Sequence, residues 1–260
     1  MQFRIVLAFL FWGNILLAQA QAPIQPIDSL PPAPQHRGRA AALRIAVPSV
    51  LVGIGVLAHS PRCNQTMYRA KLDMQARTRR TFGVLNARGI DDYTRHVPLA
   101  MAYGLMATGH HGARPAASFT LIYLLAHELD QAVVGNLKRI SAEPRPYNPH
   151  ELTSFPSSHT SQAFLTATLL HEQFGRQYPW VSVAGYTVAT ATGTMRVLGN
   201  KHWATDVLAG AGIGFLSAET VWHVYPSLVR LLPGKLSQKM LVVPTYSAGE
   251  GTGLAMALQL

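Results

Sequence analysis

Apolar positions along the chain gather into long runs separated by short polar or Pro/Gly-rich breaks, and no alternating strand pattern or internal repeat interrupts them. After an apolar stretch at Ile5–Ala18, the run Ala41–Ala58 predicts a helix, although Arg44, Pro48 and two glycines interrupt it. Asp91-Asp92 reads as an N-cap pair opening a helix through Thr108, followed by a loop at His110-His111-Gly112. Ala113–Ile140 is long and mainly apolar, with His127, Glu128 and Asp130 inside it. Ser157–Phe174, Val181–Leu198 and Trp203–Val224 are three more helical stretches, rich in the small residues that let helices approach closely. Gly210 and Gly214 add a G-x-x-x-G spacing, a weak signal by itself. The pattern predicts an all-α fold, a bundle of about six core helices.

The ends read differently. Arg4 and the run Ile5–Ala18, followed by Ala18-Gln19-Ala20 and Ala20-Gln21-Ala22 as small-x-small cleavage sites, predict a signal peptide over residues 1–20. An uncleaved anchor is the alternative. Residues 21–40 are Pro-rich and predict an extended linker. The helical domain then covers 41–232, and 233–260, with Pro, Gly and short apolar runs, is left unassigned. Residues 64–88 intersperse Arg69, Lys71, Arg77, Arg79, Arg80 and Arg88 with Met67, Leu72, Met74, Phe82 and Leu85, which fits either a basic helix on a membrane surface or a solvated helix face.

Composition sharpens this picture. Hydrophobic residues make up 48% of the chain and charged residues only 13%, roughly half the usual charged share, so a helical protein that is partly lipid-facing or unusually compact is expected. The net charge of +10 favours anionic partners. Few aromatics lie among the basic residues and no nucleic-acid motif is visible, so nucleic acid ranks last among these partners. One cysteine, Cys63, can make neither an intrachain disulfide nor a cysteine-based zinc site.

Candidate chemistry lies in three clusters: Lys138 to Pro146 (KRISAEPRP) at the end of one predicted helix, Phe155 to Thr160 (FPSSHT) at the start of the next, and Arg196 to Asp206 (RVLGNKHWATD) between the last two. Taken singly, each has an ordinary explanation. Cations complement a helix C-terminus, Pro-Ser begins helices, and a His and an Asp four apart can pair on a helix surface. With antiparallel neighbours, however, all three fall at the same end of the bundle. Lys138, Arg145 and Arg196 would then surround His159, His202 and Asp206 there. Phosphoryl transfer needs fixed cations for the equatorial oxygens, and arginine supplies a bidentate grip. Amides of Ser158 and His159 at a helix start add donors. Asp206 would fix one nitrogen of His202 and leave the other free to attack, with His159 as general acid.

This ordered set resembles the type 2 phosphatidic acid phosphatase superfamily, which includes bacterial acid phosphatases and vanadium haloperoxidases. Its pattern is K-x6-R-P, then P-S-G-H, then S-R-x5-H-x3-D. Lys138, Arg145 and Pro146 match the first element, Pro156, Ser157 and His159 the second, and Arg196, His202 and Asp206 the third. The motifs cover 138–206, and similar helix order extends the likeness from about Asp91 to Val224. Ser158 stands where the family has Gly, and Met195 where it has Ser. The resemblance implies a metal-independent, cofactor-free, two-step phosphatase with catalytic His202, His159 and Asp206. Lys138, Arg145, Ser157, Ser158 and Arg196 would bind the phosphate.

The expected substrate is a phosphomonoester or diphosphate on a lipid: phosphatidic acid, phosphatidylglycerol phosphate, an isoprenoid diphosphate or lipid A. The expected place is the bacterial cell envelope, membrane-associated with the site facing the periplasm. A soluble periplasmic acid phosphatase is the main alternative. Haloperoxidases are generally larger, and a non-catalytic envelope protein would not need an intact His159, His202 and Asp206. Six spanning helices with an external site require a cytoplasmic start, which conflicts with a cleaved signal. Either the N-terminal segment stays as an anchor, or Ala41–Ala58 does not cross, or the protein is soluble.

Overall fold

The computed structural model describes residues 38–60, 62–86, 89–231, 240–247 and 251–258. The signal peptide over 1–20, most of the linker over 21–40 and Arg88 lie outside the described residues.

Among the described residues eight helices follow one another: α1 (Gly38–His59), α2 (Gln65–Phe82), α3 (Ile90–Thr94), α4 (Val97–Ala107), α5 (Ala116–Ser141), α6 (Ser158–Phe174), α7 (Pro179–Leu198) and α8 (Ala204–Leu231). The fold is all-α, as the apolar runs predict. Several boundaries differ from the sequence reading: α5 begins at Ala116 rather than Ala113, and α8 runs on to Leu231 rather than stopping at Val224. Helix α1 begins at Gly38, so the last linker residues are already helical. The stretch after Asp91-Asp92 is broken at Arg95 and His96, because Pro98 occupies the first turn of a new helix, α4. The aspartates therefore sit inside the short α3 rather than capping a long helix; Gly89 takes the N-cap position, with left-handed φ of 78°.

The chain forms two units. One is the helical bundle up to Trp222. The other begins at His223 and includes an antiparallel hairpin, β1 (Met240–Ser247) and β2 (Gly251–Leu258), within the tail that the sequence leaves unassigned.

In the bundle α6 is the central element, with buried residues around its whole circumference from Thr160 to Phe174. Leu165, Leu169, Leu170 and Phe174 join Phe119 and Ile122 of α5 and Val181 of α7 in a fully enclosed core, while Ala163, Ala167 and Ala189 bring α6 and α7 close together. The hydroxyls that line this interior are satisfied: Thr168 donates to Phe164 O at 2.8 Å, and Thr166 to Ala163 O at 3.0 Å.

The G-x-x-x-G pair explains how α8 meets α6. A Cβ built on Gly210 would lie 2.5 Å from Ser157 O, and one on Gly214 would overlap Ser161 O. Only glycine allows the two backbones to touch at these positions. Gly214→Ala should cost about 1–3 kcal/mol through overpacking and lower the thermal midpoint in detergent. Gly53→Ala, on α1 with open space around it, should leave the midpoint unchanged or slightly raised.

Two described helices have the length and apolarity to cross a membrane, Ala42–His59 and Ala204–Arg230. The first shows only 17% of its residues buried. Its outer face exposes Leu43, Ile45, Val47, Val50, Val56 and Leu57, a continuous apolar surface for which water is a poor solvent.

Candidate active site

The end of α5, the start of α6 and the turn between α7 and α8 meet at one end of the bundle, and each delivers one cluster. Helix α5 ends after Lys138, where Ala142 takes a left-handed φ of 45° and its N–H caps Lys138 O. Ser157 is the N-cap of α6, so His159 falls in its first turn. Arg196 lies in the last turn of α7, and Asp206 in the first turn of α8. Short loop bonds link these pieces: Ser157 N–H donates to Asp206 O at 3.1 Å, and Ser154 N–H to Glu143 O at 2.9 Å.

His202 is 1% exposed. Its Nδ1 lies 2.8 Å from Ser154 O, a carbonyl that can only accept, so Nδ1 carries the proton and Nε2 is the nitrogen with a lone pair. The sequence reading gives this orienting task to Asp206. In the structure Asp206 Oδ2 is 3.6 Å from Nδ1, beyond hydrogen-bond reach. That oxygen instead accepts from Ser154 Oγ at 2.5 Å and from Trp203 N–H at 3.1 Å. Asp206 thus holds the loop that holds the histidine, and its charge still acts on the ring. Burial pushes His202 down to about 4; Asp206 opposes this, and Lys138 and Arg196 add to it. The ring is therefore neutral at neutral pH.

Lys138, Arg145 and Arg196 lie close enough for their charges to act on one another. Lys138 donates to Thr153 O at 2.5 Å, and burial, together with the charges of Arg145 and Arg196, lowers it to about 8. Arg145 pairs through Nε with Glu151 Oε1 at 2.9 Å. Arg196, 4% exposed, pairs with the buried carboxylate of Asp91, which Lys201 also approaches at 3.3 Å. Among the described residues Arg196 Nε and Asp206 Oδ1 are buried without a hydrogen-bond partner. A phosphoryl oxygen is the kind of acceptor that Arg196 Nε lacks.

His159 Nε2 is 2.6 Å from Asp92 Oδ1. Burial and Arg196 drive this ring down to about 4, while Asp92 pulls it up. Asp92→Asn should therefore move the His159 titration midpoint to lower pH, as read by NMR of its ring protons. An unchanged or higher midpoint would show that the pair does not form. The serines split. Ser157 is fully buried; its hydroxyl pairs with Thr160 Oγ1 at 3.0 Å within α6, while its N–H joins α6 to α8. Ser158 is half-buried, and its first-turn amide, like that of His159, has no intrahelical acceptor. Among the described residues no three His, Cys, Asp or Glu side chains are grouped to hold a metal ion.

Sequence reasoning missed several participants. Asp91, Asp92 and Ser154 touch the three key side chains but lie outside the recognised clusters. Glu143, inside the first cluster, pairs with the buried Lys71 of α2 and with His59 Nδ1 at 3.0 Å.

Several known proteins resemble this chain. A family model described as the PAP2 superfamily matches residues 119–230. The lipid A 1-phosphatase of Porphyromonas gingivalis is 34% identical over 178 residues, 66% of this chain, and the match spans only 37% of that protein. Among solved structures, a transmembrane PAP2 type phosphatidylglycerolphosphate phosphatase from Bacillus subtilis superposes with a TM-score of 0.50 at 18% identity, over 71% of this chain and 98% of that one. LpxE from Aquifex aeolicus gives a TM-score of 0.44 at 20% identity, over 56% and 92%.

Proposed function

We propose that this chain, whose residues 119–230 match the PAP2 superfamily, is a metal-independent phosphatase acting on a phosphorylated lipid through a phosphohistidine intermediate. The observation that carries this reading is His202: a buried, neutral imidazole with Nδ1 tied to Ser154 O, set among Lys138, Arg145 and Arg196.

In the first step His202 Nε2 forms a bond to phosphorus while the bond to the leaving oxygen breaks. That oxygen takes its proton from His159. The substrate's negative charge acts on His159 in the same sense as Asp92 and favours the protonated ring. Lys138, Arg145, Arg196 and the amides of Ser158 and His159 stabilise the charge on the equatorial oxygens. In the second step water attacks the phosphohistidine, giving its proton to His159 and restoring neutral His202.

The lipid substrate is supported by the exposed apolar face of α1 and by the 34% identity to a lipid A 1-phosphatase. Lipid A, phosphatidic acid, phosphatidylglycerol phosphate and isoprenoid diphosphates share the required terminal phosphate. The site would face the periplasm, with α1 and α8 crossing the membrane and the chain's first residues serving as signal or anchor.

The test is phosphate release from a panel of these four lipids by the purified chain in detergent. Orthovanadate, which can become five-coordinate like the transition state, should inhibit, and EDTA should not. Activity lost in EDTA and restored by a divalent ion would overturn the mechanism. Recovery of the protein in the soluble periplasm without detergent would overturn the membrane assignment.

A further inference from the structure

Helix α2 has its polarity reversed. The residues it buries are Lys71 and Gln75. Lys71 pairs with Glu143, approaches His59 O at 3.5 Å and lies 5.1 Å from the centroid of the Trp203 ring. Gln75 donates to Asn200 Oδ1 at 2.8 Å and to Val197 O at 3.3 Å. Its outer surface carries Arg69, Arg77, Arg79 and Arg80 against a single acid, Asp73, together with exposed Leu72 and Met74. The apolar exposure continues past its end: Phe82 is 72% exposed, Val84 57% and Leu85 44%. A helix facing water would turn these apolar groups inward and its lysine outward.

The position of α2 gives this surface a partner. It begins directly after α1, the exposed apolar helix whose last residue, His59, bonds Glu143. Lys71 and Gln75 fasten it to segments that flank the candidate site, next to Trp203 and Asn200. A helix that starts where a membrane span stops lies among lipid headgroups. Arginine there meets phosphate, and apolar side chains reach the upper acyl region.

We propose that α2 is an interfacial docking surface for anionic phospholipid, with Arg69, Arg77 and Arg80 binding headgroup phosphates beside the catalytic site. The proposal rests on the reading above that α1 crosses the membrane. Lys71 and Gln75 are the fasteners that hold the helix at the site, and the arginines are the face turned to the bilayer.

The full chain in dodecyl maltoside micelles is titrated with dansyl-labelled phosphatidylglycerol, following energy transfer from tryptophan. Each basic side chain near an anionic surface contributes about 1 kcal/mol, so the triple variant R69Q/R77Q/R80Q should bind on the order of 100-fold more weakly. The wild-type affinity should fall with added salt, the corresponding lysine triple variant should keep most of it, and dansyl-labelled phosphatidylcholine should bind equally poorly to all three proteins. Hydrolysis of water-soluble p-nitrophenyl phosphate should be the same in the glutamine variant and the wild type. Equal phosphatidylglycerol affinity in those two proteins, or equal affinity for both lipids, would overturn the proposal. If the wild type releases no phosphate from any substrate yet binds lipid through these arginines, the phosphatase reading falls and this one stands.

Discussion

Replacing His202 with alanine should abolish phosphate release from every substrate, lipid or soluble, good leaving group or poor. A loss on the order of 10⁶-fold is the scale found when a covalent nucleophile is removed. The site offers no substitute. His159 is held against Asp92, the lysine and arginines are cations, and both polar groups of Ser157 are spent within the protein. The variant must be shown to fold, since His202 fills a buried position; its thermal midpoint in detergent is compared with that of the wild type. The decisive measurement is a rapid acid quench with labelled substrate, followed by mapping of the labelled peptide. Label on any residue but His202, or steady turnover by His202→Ala, would show that the nucleophile lies elsewhere.

Removing His159 has an effect that depends on the substrate. A lipid alkoxide leaves only with a proton, so His159→Ala should slow its release by about 10²–10⁴-fold, the usual contribution of general acid catalysis. Nitrophenolate leaves with little help, so the first step should survive in part. The same change removes the base for the second step, and phosphohistidine should accumulate with the nitrophenyl substrate. A burst of nitrophenolate followed by slow turnover is the signature. An equal loss with both substrates and no burst would show that His159 only shapes the pocket.

The helices were legible because burial in a bundle needs long apolar runs, and those runs survive in the sequence. The three clusters were legible because gripping a phosphoryl group restricts residue type: arginine for the bidentate grip, histidine for the bond to phosphorus. Their partners were not. Asp91-Asp92 has the local look of an N-cap, and only Pro98 and the packing of α3 onto α6 and α7 turn these residues toward Arg196 and His159. Ser154 holds His202 through its carbonyl, which every residue has; only its hydroxyl, bonded to Asp206, depends on its type. Asp206 lies 3.6 Å from His202 Nδ1 rather than in direct hydrogen-bond contact, because i,i+4 spacing brings side chains together only within one helix and His202 lies before α8 begins. Lys71 read as one cation among many, and only tertiary structure shows that it alone of those arrayed on α2 turns inward.

The backbone contact between α6 and α8 at Gly210 and Gly214 also constrains how this protein can diversify. His159 rides on one of those helices, and the other begins just after His202. The separation of the two histidines is therefore fixed by main chain against main chain, with no side chain between to be exchanged for a larger or smaller one. Selection for a new substrate has little to work with there. Variation that alters which phosphate is accepted should fall instead on the outer rim, in residues 145–153 and the exposed face of α2, where side chains can change while the reacting pair keeps its spacing.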